Sequence, residues 1–353
     1  MDDDLKLDPA GPVLVVGGYG TVGGDLTRLA ASSWPLLLTG RNPERGSALA
    51  DEVGASVRRW DLADPAPFAA EVRAVISTVN DPGDRVLHAA IRGGVPYVDI
   101  TRWTARLQRA TAVAAVTPST APVLFSSGWM GGVTSLVTAA LADRLGGASA
   151  VGIAIRYDLK DRAGADSVEF MDRLGLDYEV TEAGRQRLVM PLSDAGYVTI
   201  GEHRTKVARI DTPEQFTLPL TLGVGTAVTR IGFSANSSTS TLLAVKRTGF
   251  FRWGRGDRFR SMRRSMLYSP GEGGSALLRI DVRDAGGAVR TATVTDTAGQ
   301  AHLTAVGGLL GLRRVLGEDG APPPRGVAFP EMTPVPQDVI PALEELRVTV
   351  DVS

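Results

Sequence analysis

Cysteine is absent from this chain, and histidine is scarce. Without thiols the protein has no disulfides, no thiolate nucleophile and no zinc ribbon. The three histidines, His88, His203 and His302, lie far apart without the spacing of metal ligands, so we predict no metal site. An excess of one charge is also lacking. The net charge of −1 gives no general attraction to nucleic acid, and we expect no nucleic-acid partner.

Long apolar runs are missing as well. No uninterrupted run is long enough to span a bilayer, so the sequence predicts no transmembrane segment. Residues 1–4 are acidic and precede no apolar stretch of the kind found in signal peptides, which makes a cytoplasmic protein our expectation. Hydrophobic residues nevertheless make up 43% of the 353 residues, enough for a sizeable core and two domains.

A glycine pattern directly after an apolar strand is the most informative feature present. The strand is Val13–Val16, and Gly18, Gly20 and Gly23 follow with the spacing G-x-G-x-x-G as a helical pattern begins. In dinucleotide-binding proteins these glycines allow, in order, a tight turn, close approach to a pyrophosphate and close packing of the helix. The unpaired N–H groups at the helix N-terminus then face the phosphates.

The second predicted strand, 35–39, ends without the acidic residue that holds the ribose 2′-hydroxyl of NAD. Arg41 and Arg45 stand there instead. Because arginine suits a 2′-phosphate, we predict NADP(H) as the cofactor. The alternative for Arg41 is a solvated loop cation. Asn42 and Pro43 have the residue types of a helix N-cap and of a first helical position.

Strands and helices continue to alternate up to residue 125. The alternating pattern predicts six strands, at 13–16, 35–39, 56–60, 74–79, 95–100 and 123–125. This pattern is typical of the α/β class with a doubly wound, Rossmann-type parallel sheet. After residue 148 the pattern becomes β-rich, which predicts a second α+β domain with a mixed sheet. We expect a dinucleotide-binding domain over 1–127 and 300–353, and a substrate and dimerisation domain over 128–299.

The residues expected to contact the cofactor belong to the glycine pattern or follow the carboxyl end of a predicted strand. They are Gly18, Tyr19, Gly20, Thr21, Val22, Gly23, Arg41, Asn42, Asp61, Leu62, Thr78, Val79 and Asn80. Two roles stay open for Asp61. Its carboxylate accepts a hydrogen bond from the adenine amine, or it caps a helix ahead of Pro65.

Four stretches resemble the saccharopine dehydrogenase-like reductases: 17–23, 39–42, 97–101 and 128–132. The tail segment 326–331 is similar to the closing segment of that family, and the resemblance extends over essentially the whole chain. Gly131 stands where family members commonly have proline. The resemblance implies NAD(P)H-dependent reduction, usually of an imine, and a homodimer formed through the second domain. A sibling branch of the family reduces enoyl groups on polyketide chains in trans.

Catalytic candidates lie in both predicted domains. Asp99, at the end of the fifth strand, either holds a substrate ammonium or a water, or it caps the next helix. Tyr97 shares its face of the strand and is otherwise a core tyrosine. His203 is a candidate acid or a solvated strand histidine. Trp129 and Met130 form an apolar wall for the substrate, or they serve interdomain packing.

The chemistry favours a small imine substrate. An iminium is already cationic and needs little acid catalysis, and the Tyr-x-x-x-Lys spacing of short-chain dehydrogenases is absent. The alternatives are a trans-acting enoyl reductase on a carrier-bound chain and a non-catalytic NADP-binding sensor. The basic, aromatic segment 246–264 docks an acidic carrier protein, covers the substrate, or is a surface loop over its own aromatics.

Overall fold

The computed structural model describes residues 3–119, 121–161, 172–254, 259, 261, 271 and 273–353. The chain divides into two compact units. The first combines Met1–Val133 with Thr304–Val335, and the second combines Thr134–Leu303 with Pro336–Ser353.

The elements are named here in chain order. The strands are β1 (Asp4–Leu7), β2 (Val13–Val16), β3 (Leu36–Gly40), β4 (Ser56–Arg59), β5 (Ala69–Val72), β6 (Ala74–Ser77), β7 (Tyr97–Asp99), β8 (Val123–Phe125), β9 (Ala150–Tyr157), β10 (Tyr178–Glu182), β11 (Arg185–Val189), β12 (Gly196–Ile200), β13 (His203–Arg209), β14 (Thr226–Phe233), β15 (Ala276–Arg283), β16 (Val289–Asp296), β17 (Val327–Ala328) and β18 (Thr349–Val352). The helices are α1 (Thr21–Ala30), α2 (Ser47–Val53), α3 (Arg85–Arg92), α4 (Thr104–Val116), α5 (Val133–Leu145), α6 (Glu214–Leu222), α7 (Asn236–Arg247), α8 (Phe250–Trp253), α9 (Gln300–Leu316) and α10 (Val339–Glu345). Among the helices of the described residues, none has both the length and the apolar composition to cross a membrane.

The first unit is built on a seven-stranded sheet in the order β17-β8-β7-β6-β2-β3-β4. All neighbouring strands in it are parallel. The chain starts at the central strand β2, adds β3 and β4 on one side, and then crosses back to add β6, β7 and β8 on the other. This is the doubly wound, Rossmann-type sheet that the sequence predicts. Ligands of such sheets bind where the strand order reverses, which here is beside β2.

The sequence predicts the central strands correctly because parallel strands are covered on both faces, and their residues therefore form apolar runs. Every residue of β2 and of β6 is buried. The strands β1 and β5 were missed, and they pair with each other in a separate two-stranded parallel sheet. Leu5 is the one buried residue of β1, so this strand has no apolar run, and its partner comes only after β4.

The second unit contains a mixed seven-stranded sheet in the order β12-β13-β14-β9-β15-β16-β18. Its strands β14 and β9 are parallel, and the other neighbours are antiparallel. The strands β10 and β11 form a separate antiparallel pair. The mixed sheet confirms the second fold type that the sequence predicts.

The C-terminal tail departs from the expected division. The sequence predicts that 300–353 belongs with the parallel sheet, but in the structure only Thr304–Val335 lies in the first unit. The strand β18 pairs antiparallel with β16, and this pairing holds the last residues in the second unit. Because Thr349 and Asp351 are exposed, β18 has no apolar run by which to recognise it.

Helix α1 packs very closely on the loop that follows β2. A Cβ added at Gly23 would lie 2.0 Å from the carbonyl oxygen of Gly17. At the neighbouring Gly24 a Cβ would make only ordinary contacts, at 3.7 Å from Arg28 and 3.8 Å from Leu49. The close approach therefore requires glycine at position 23 and not at position 24.

These two neighbouring glycines form a matched pair for substitution. We expect Gly23→Ala to destabilise the protein by about 2 kcal/mol, because the backbone must shift to relieve the overlap. Gly24→Ala should stabilise it by about 0.5–1 kcal/mol, because alanine is the better residue inside a helix. Urea denaturation followed by circular dichroism measures both values. Equal effects of the two substitutions would contradict the close approach at Gly23.

Candidate functional site

The carboxyl ends of β2, β3, β4, β6, β7 and β8 lie along one edge of the parallel sheet, called here the carboxyl edge. The predicted cofactor residues follow these strands or open α1, so the topology brings the whole set to this edge. Its half-buried or exposed members are Tyr19, Gly20, Thr21, Val22, Arg41, Asn42, Asp61, Leu62, Val79 and Asn80. The buried members are Gly18, Gly23 and Thr78.

The tight turn after β2 is made at Gly17 and not, as the motif spacing predicts, at Gly18. Gly17 has a φ of +84°, which residues with a side chain rarely adopt. A Cβ there would lie 2.3 Å from Val79 Cγ1 and 2.8 Å from Thr78 Oγ1. Gly18 is needed for packing, since its Cβ would lie 2.9 Å from Leu38. The doubled glycine in the sequence was the available signal for this difference.

The N-terminus of α1 is open at the carboxyl edge. In this stretch, all of which the structure describes, no side chain caps the helix and its first turn carries no acidic residue. The N-cap residue, Gly20, is exposed, and a Cβ there would meet only the Gly17 oxygen, at 3.3 Å. Uncapped N–H groups and the positive end of the helix dipole suit an anionic diphosphate. The residues present therefore fit the pyrophosphate of a dinucleotide.

The loop after β6 is fixed against the glycine turn by hydroxyl groups. The Thr78 hydroxyl donates to the carbonyl oxygen of Val16 at 2.9 Å, which ties the loop to β2. The Val79 carbonyl oxygen lies 3.2 Å from Ser77 Oγ and 3.3 Å from Thr101 Oγ1. The Val79 side chain can therefore keep its position in front of Gly17.

Two arginines are exposed in the loop after β3, Arg41 and Arg45. Both exert an electrostatic effect on Tyr19. Burial raises the pKa of the Tyr19 phenol and Glu44 adds to the rise, while the nearby Asn42 backbone and the charges of Arg45 and Arg41 oppose it. Two exposed cations in this loop suit the 2′-phosphate of NADP(H).

Asp61 caps a turn. Its Oδ1 accepts a hydrogen bond from the backbone N–H of Ala63 at 3.1 Å, and Arg59 lies 3.6 Å from its Oδ2. Of the two roles left open by the sequence, this geometry favours capping, although of a turn and not of a helix. An adenine contact stays a prediction for Asp61 and for the neighbouring half-buried Leu62.

Asp99 is fully buried at the end of β7 and holds neighbouring loops together. Its Oδ1 accepts from the backbone N–H of Thr101 at 2.9 Å and lies 2.9 Å from the Thr101 hydroxyl and 3.3 Å from Ser127 Oγ. Its Oδ2 accepts from Tyr97 Oη at 2.6 Å and from Arg102 Nε at 2.8 Å. One carboxylate therefore orders the loops after β7 and β8. Through the Thr101 hydroxyl, it also reaches the loop after β6.

Arg102 balances this buried carboxylate. Its guanidinium also binds the buried carboxylate of Asp84, just ahead of α3, and Arg109 reaches the same group at 3.3 Å. Burial alone would lower the pKa of Arg102, but the charge of Asp99 raises it overall, so the side chain stays cationic. Burial and the Asp99 charge raise the pKa of Tyr97 well above its ordinary value, so its phenol remains a neutral donor.

These contacts favour the non-catalytic alternatives for the sequence-predicted acids. Tyr97 is a core tyrosine whose hydroxyl is bonded, and Asp99 orders the segment that leads into α4. A direct catalytic role of either stays a prediction that their burial does not support. His203 is exposed at the start of β13, as expected of a solvated strand histidine. Arg102, Asp84 and Ser127 were missed, and the only sequence signal was an arginine three residues after Asp99.

The loop after β8 packs inward. Met130 is 7% exposed, and its Sδ lies 3.5 Å from the hydroxyl of Thr304, within the same unit. Gly131 has a φ of +62°, and a Cβ there would lie 2.4 Å from the Thr304 carbonyl oxygen. Proline, which is common at this position in the reductases that the sequence resembles, cannot adopt this φ. Met130 thus serves packing, and an apolar wall stays a prediction for the half-buried Trp129.

The segment 246–264 is described in part, because residues 255–258, 260 and 262–264 lie outside the described residues. Phe250 and Phe251 are buried in an apolar cluster of the second unit. Arg252 pairs with Asp177 at 2.9 Å, and Trp253 is 61% exposed. The described part ends α7 and forms α8, so it is not the loop that the sequence predicts, but Phe250 and Phe251 pack inward while the charge of Arg252 stays at the surface, as that interpretation expects.

No family model and no curated protein matches the chain, but solved structures do. Saccharopine dehydrogenase (L-Glu forming) from Saccharomyces cerevisiae matches over 97% of this chain and 100% of its own, with a TM-score of 0.64 and 13% identity. A probable dehydrogenase from Thermotoga maritima matches over 96% and 98%, with a TM-score of 0.44 and 12% identity. Scyllo-inositol dehydrogenase from Lactobacillus casei matches over 97% and 99%, with a TM-score of 0.43 and 11% identity. The likeness to the yeast enzyme shows a shared fold.

The Asp99 network makes a prediction about stability. We expect Asp99→Asn to destabilise the protein by about 3 kcal/mol, because it removes one of the two buried carboxylates that pair with the buried Arg102. The matched control is Asp51→Asn, on the exposed side of α2, which should change stability by less than about 0.5 kcal/mol. Urea denaturation measures both. A loss at Asp99 no larger than that at Asp51 would show that the network does not hold this edge.

Proposed function

We propose that the protein is an NADPH-dependent reductase that transfers hydride to the C=N bond of a small metabolite. One observation carries the proposal: the open N-terminus of α1 lies beside the Gly17 turn, and Arg41 follows β3 where an NAD site has an acid. The fold shared with yeast saccharopine dehydrogenase, an oxidoreductase by name, supports it. The homodimer implied by the family resemblance stays a prediction.

The chain's own residues bind and orient the cofactor in this proposal. When bound, NADPH supplies the hydride from its nicotinamide ring. The first-turn N–H groups of α1 hold the pyrophosphate, and Arg41 and Arg45 hold the 2′-phosphate. Thr78 and Val79 pack against Gly17 and keep the loop after β6 fixed beside the diphosphate.

The state of Tyr97 and Asp99 favours an acceptor that needs no acid. A ketone develops alkoxide charge as it accepts hydride and gains from a nearby proton donor, whereas an iminium is already cationic. Tyr97 and Asp99 are both buried and bonded to each other, so neither presents a proton to a substrate. This supports reduction of C=N over reduction of a simple ketone.

The choice of NADPH over NADH depends in this proposal on Arg41. We expect Arg41→Ser to weaken NADPH binding by about ten- to a hundredfold, because it removes a charge-assisted hydrogen bond to the 2′-phosphate. NADH binding should hardly change. Titration of cofactor fluorescence measures both constants, with Arg185→Ser, an exposed arginine of β11, as the matched control. Wild-type protein that binds NADH as well as NADPH would contradict the assignment of Arg41.

Catalysis is tested by following NADPH oxidation with small amines paired with aldehydes or 2-oxo acids. Oxidation should require both partners, since only the imine formed from them accepts the hydride. Gly20→Val should abolish binding and turnover while the protein stays folded. The protein should stay folded because a Cβ at Gly20 meets only one protein atom, the Gly17 oxygen at 3.3 Å. Binding should be lost because the valine side chain takes the space that lets the pyrophosphate approach the backbone.

The possible outcomes separate the candidate functions. Turnover of an enoyl group on a carrier, without turnover of any amine and carbonyl pair, would establish the enoyl reductase. Tight NADPH binding without turnover of either acceptor would establish the sensor. Normal NADPH binding by folded Gly20→Val would refute the glycine assignment, and a wild-type protein that binds no nicotinamide cofactor would refute the whole proposal.

A further inference from the structure

The ring of Tyr19 fills the space between the glycine-rich loop and the loop that follows β3. A Cβ added at Gly40 would lie 2.3 Å from Tyr19 Oη, and one added at Gly46 would lie 2.5 Å from Tyr19 Cδ1. Gly46 has ordinary helical dihedrals, φ −93° and ψ −13°, so its backbone does not require glycine. Its missing side chain makes room for the ring. The Tyr19 side chain therefore packs against Gly40 and Gly46, the residues on either side of the segment 41–45.

The segment 41–45 carries both arginines of the proposed phosphate site. Among the hydrogen bonds and ion pairs of the described residues, none involves the side chain of Arg41 or of Arg45. The position of the segment's backbone therefore determines where the side chains of Arg41 and Arg45 start. That backbone is held at Gly40 by pairing with β4. At Gly40 and at Gly46 it is also held by the packed side chain of Tyr19.

We propose that the Tyr19 ring is a positioning residue for cofactor choice. It sets the spacing between the glycine-rich loop and the segment 41–45, so that Arg41 and Arg45 meet the phosphate that NADPH has and NADH lacks. The ring alone packs at Gly46, whereas at Gly40 the hydroxyl and the ring carbon that bears it both lie close, 2.3 Å and 2.6 Å from an added Cβ. The inference rests on the proposed function, because it assumes that the carboxyl edge binds a nicotinamide dinucleotide.

The first test compares dissociation constants for NADPH and NADH, measured by cofactor fluorescence. Tyr19→Phe keeps the ring and should keep the wild-type ratio of the two constants. Tyr19→Ala should weaken NADPH binding about tenfold more than NADH binding, because only NADPH uses the arginines. Tyr197→Ala, at an exposed tyrosine of β12, is the matched control and should change neither constant.

A double-mutant cycle tests the contact itself. Gly46→Ala pushes a Cβ into the ring of the wild-type protein, so it should lower the NADPH preference on its own. In the Tyr19→Ala background the space is empty, and adding Gly46→Ala should cost nothing more. Thermal melting confirms that each variant is folded. Tyr19→Leu, which also removes the ring, takes the place of Tyr19→Ala if the latter does not fold.

Several results would overturn the inference. An unchanged NADPH to NADH ratio in Tyr19→Ala would do so, and so would an equal loss for both cofactors, which indicates a general structural role. Equal damage from phenylalanine and alanine would assign the effect to the hydroxyl, and additive effects of Gly46→Ala would show that the contact does not matter. In these cases the proposed function survives if the wild-type protein binds and oxidises NADPH. A wild-type protein that binds neither cofactor overturns both.

Discussion

A single buried carboxylate orders the edge of the sheet on which the proposed site is built. Asp99 accepts hydrogen bonds from the loops after β7 and β8, and its charge is matched by Arg102, which also holds Asp84 ahead of α3. A charge can be buried in this way only when it is paired and its oxygens are hydrogen-bonded. Because the partners come from the loops after β7 and β8 and from the residue just ahead of α3, the network stiffens these segments together. The loops beside β2 are thus fixed by the protein itself.

Much of the fold can be predicted from the local sequence pattern, and the strands that cannot be predicted share one physical cause. Buried parallel strands such as β2 and β6 show apolar runs whatever their neighbours are. The missed strands β1 and β18 are half-exposed and pair with segments far away or across another element. Whether these strands form depends on pairing partners that lie too far away along the chain to belong to a local sequence pattern. For the same reason the tail could not be assigned correctly to a unit.

The candidate site also has residues whose role can be predicted from the sequence and residues whose role cannot. The glycine spacing and Arg41 were visible because their role follows from residue type and order alone, although the positive φ falls on Gly17. The sequence predicts Tyr97 and Asp99 as catalytic candidates because a polar residue at a strand end has the same sequence pattern whether it faces a ligand or a neighbouring loop. What distinguishes the two cases is the presence of Ser127 and Arg102 beside the carboxylate. These contacts exist only after folding.

The first unit is interrupted in the chain, and its last helix lies on the sheet through small residues. In α9, a Cβ at Gly308 would lie 3.1 Å from Ile76, and one at Gly311 would lie 3.0 Å from Val98. This helix is made only after residues 134–303, the larger part of the second unit, have been synthesised. The intervening stretch of about 170 residues takes roughly 10–30 s to synthesise at typical rates of translation. Throughout that interval the apolar side chains of β6 and β7 lack the cover of α9, so this face of the nascent chain stays exposed to aggregation and to chaperones.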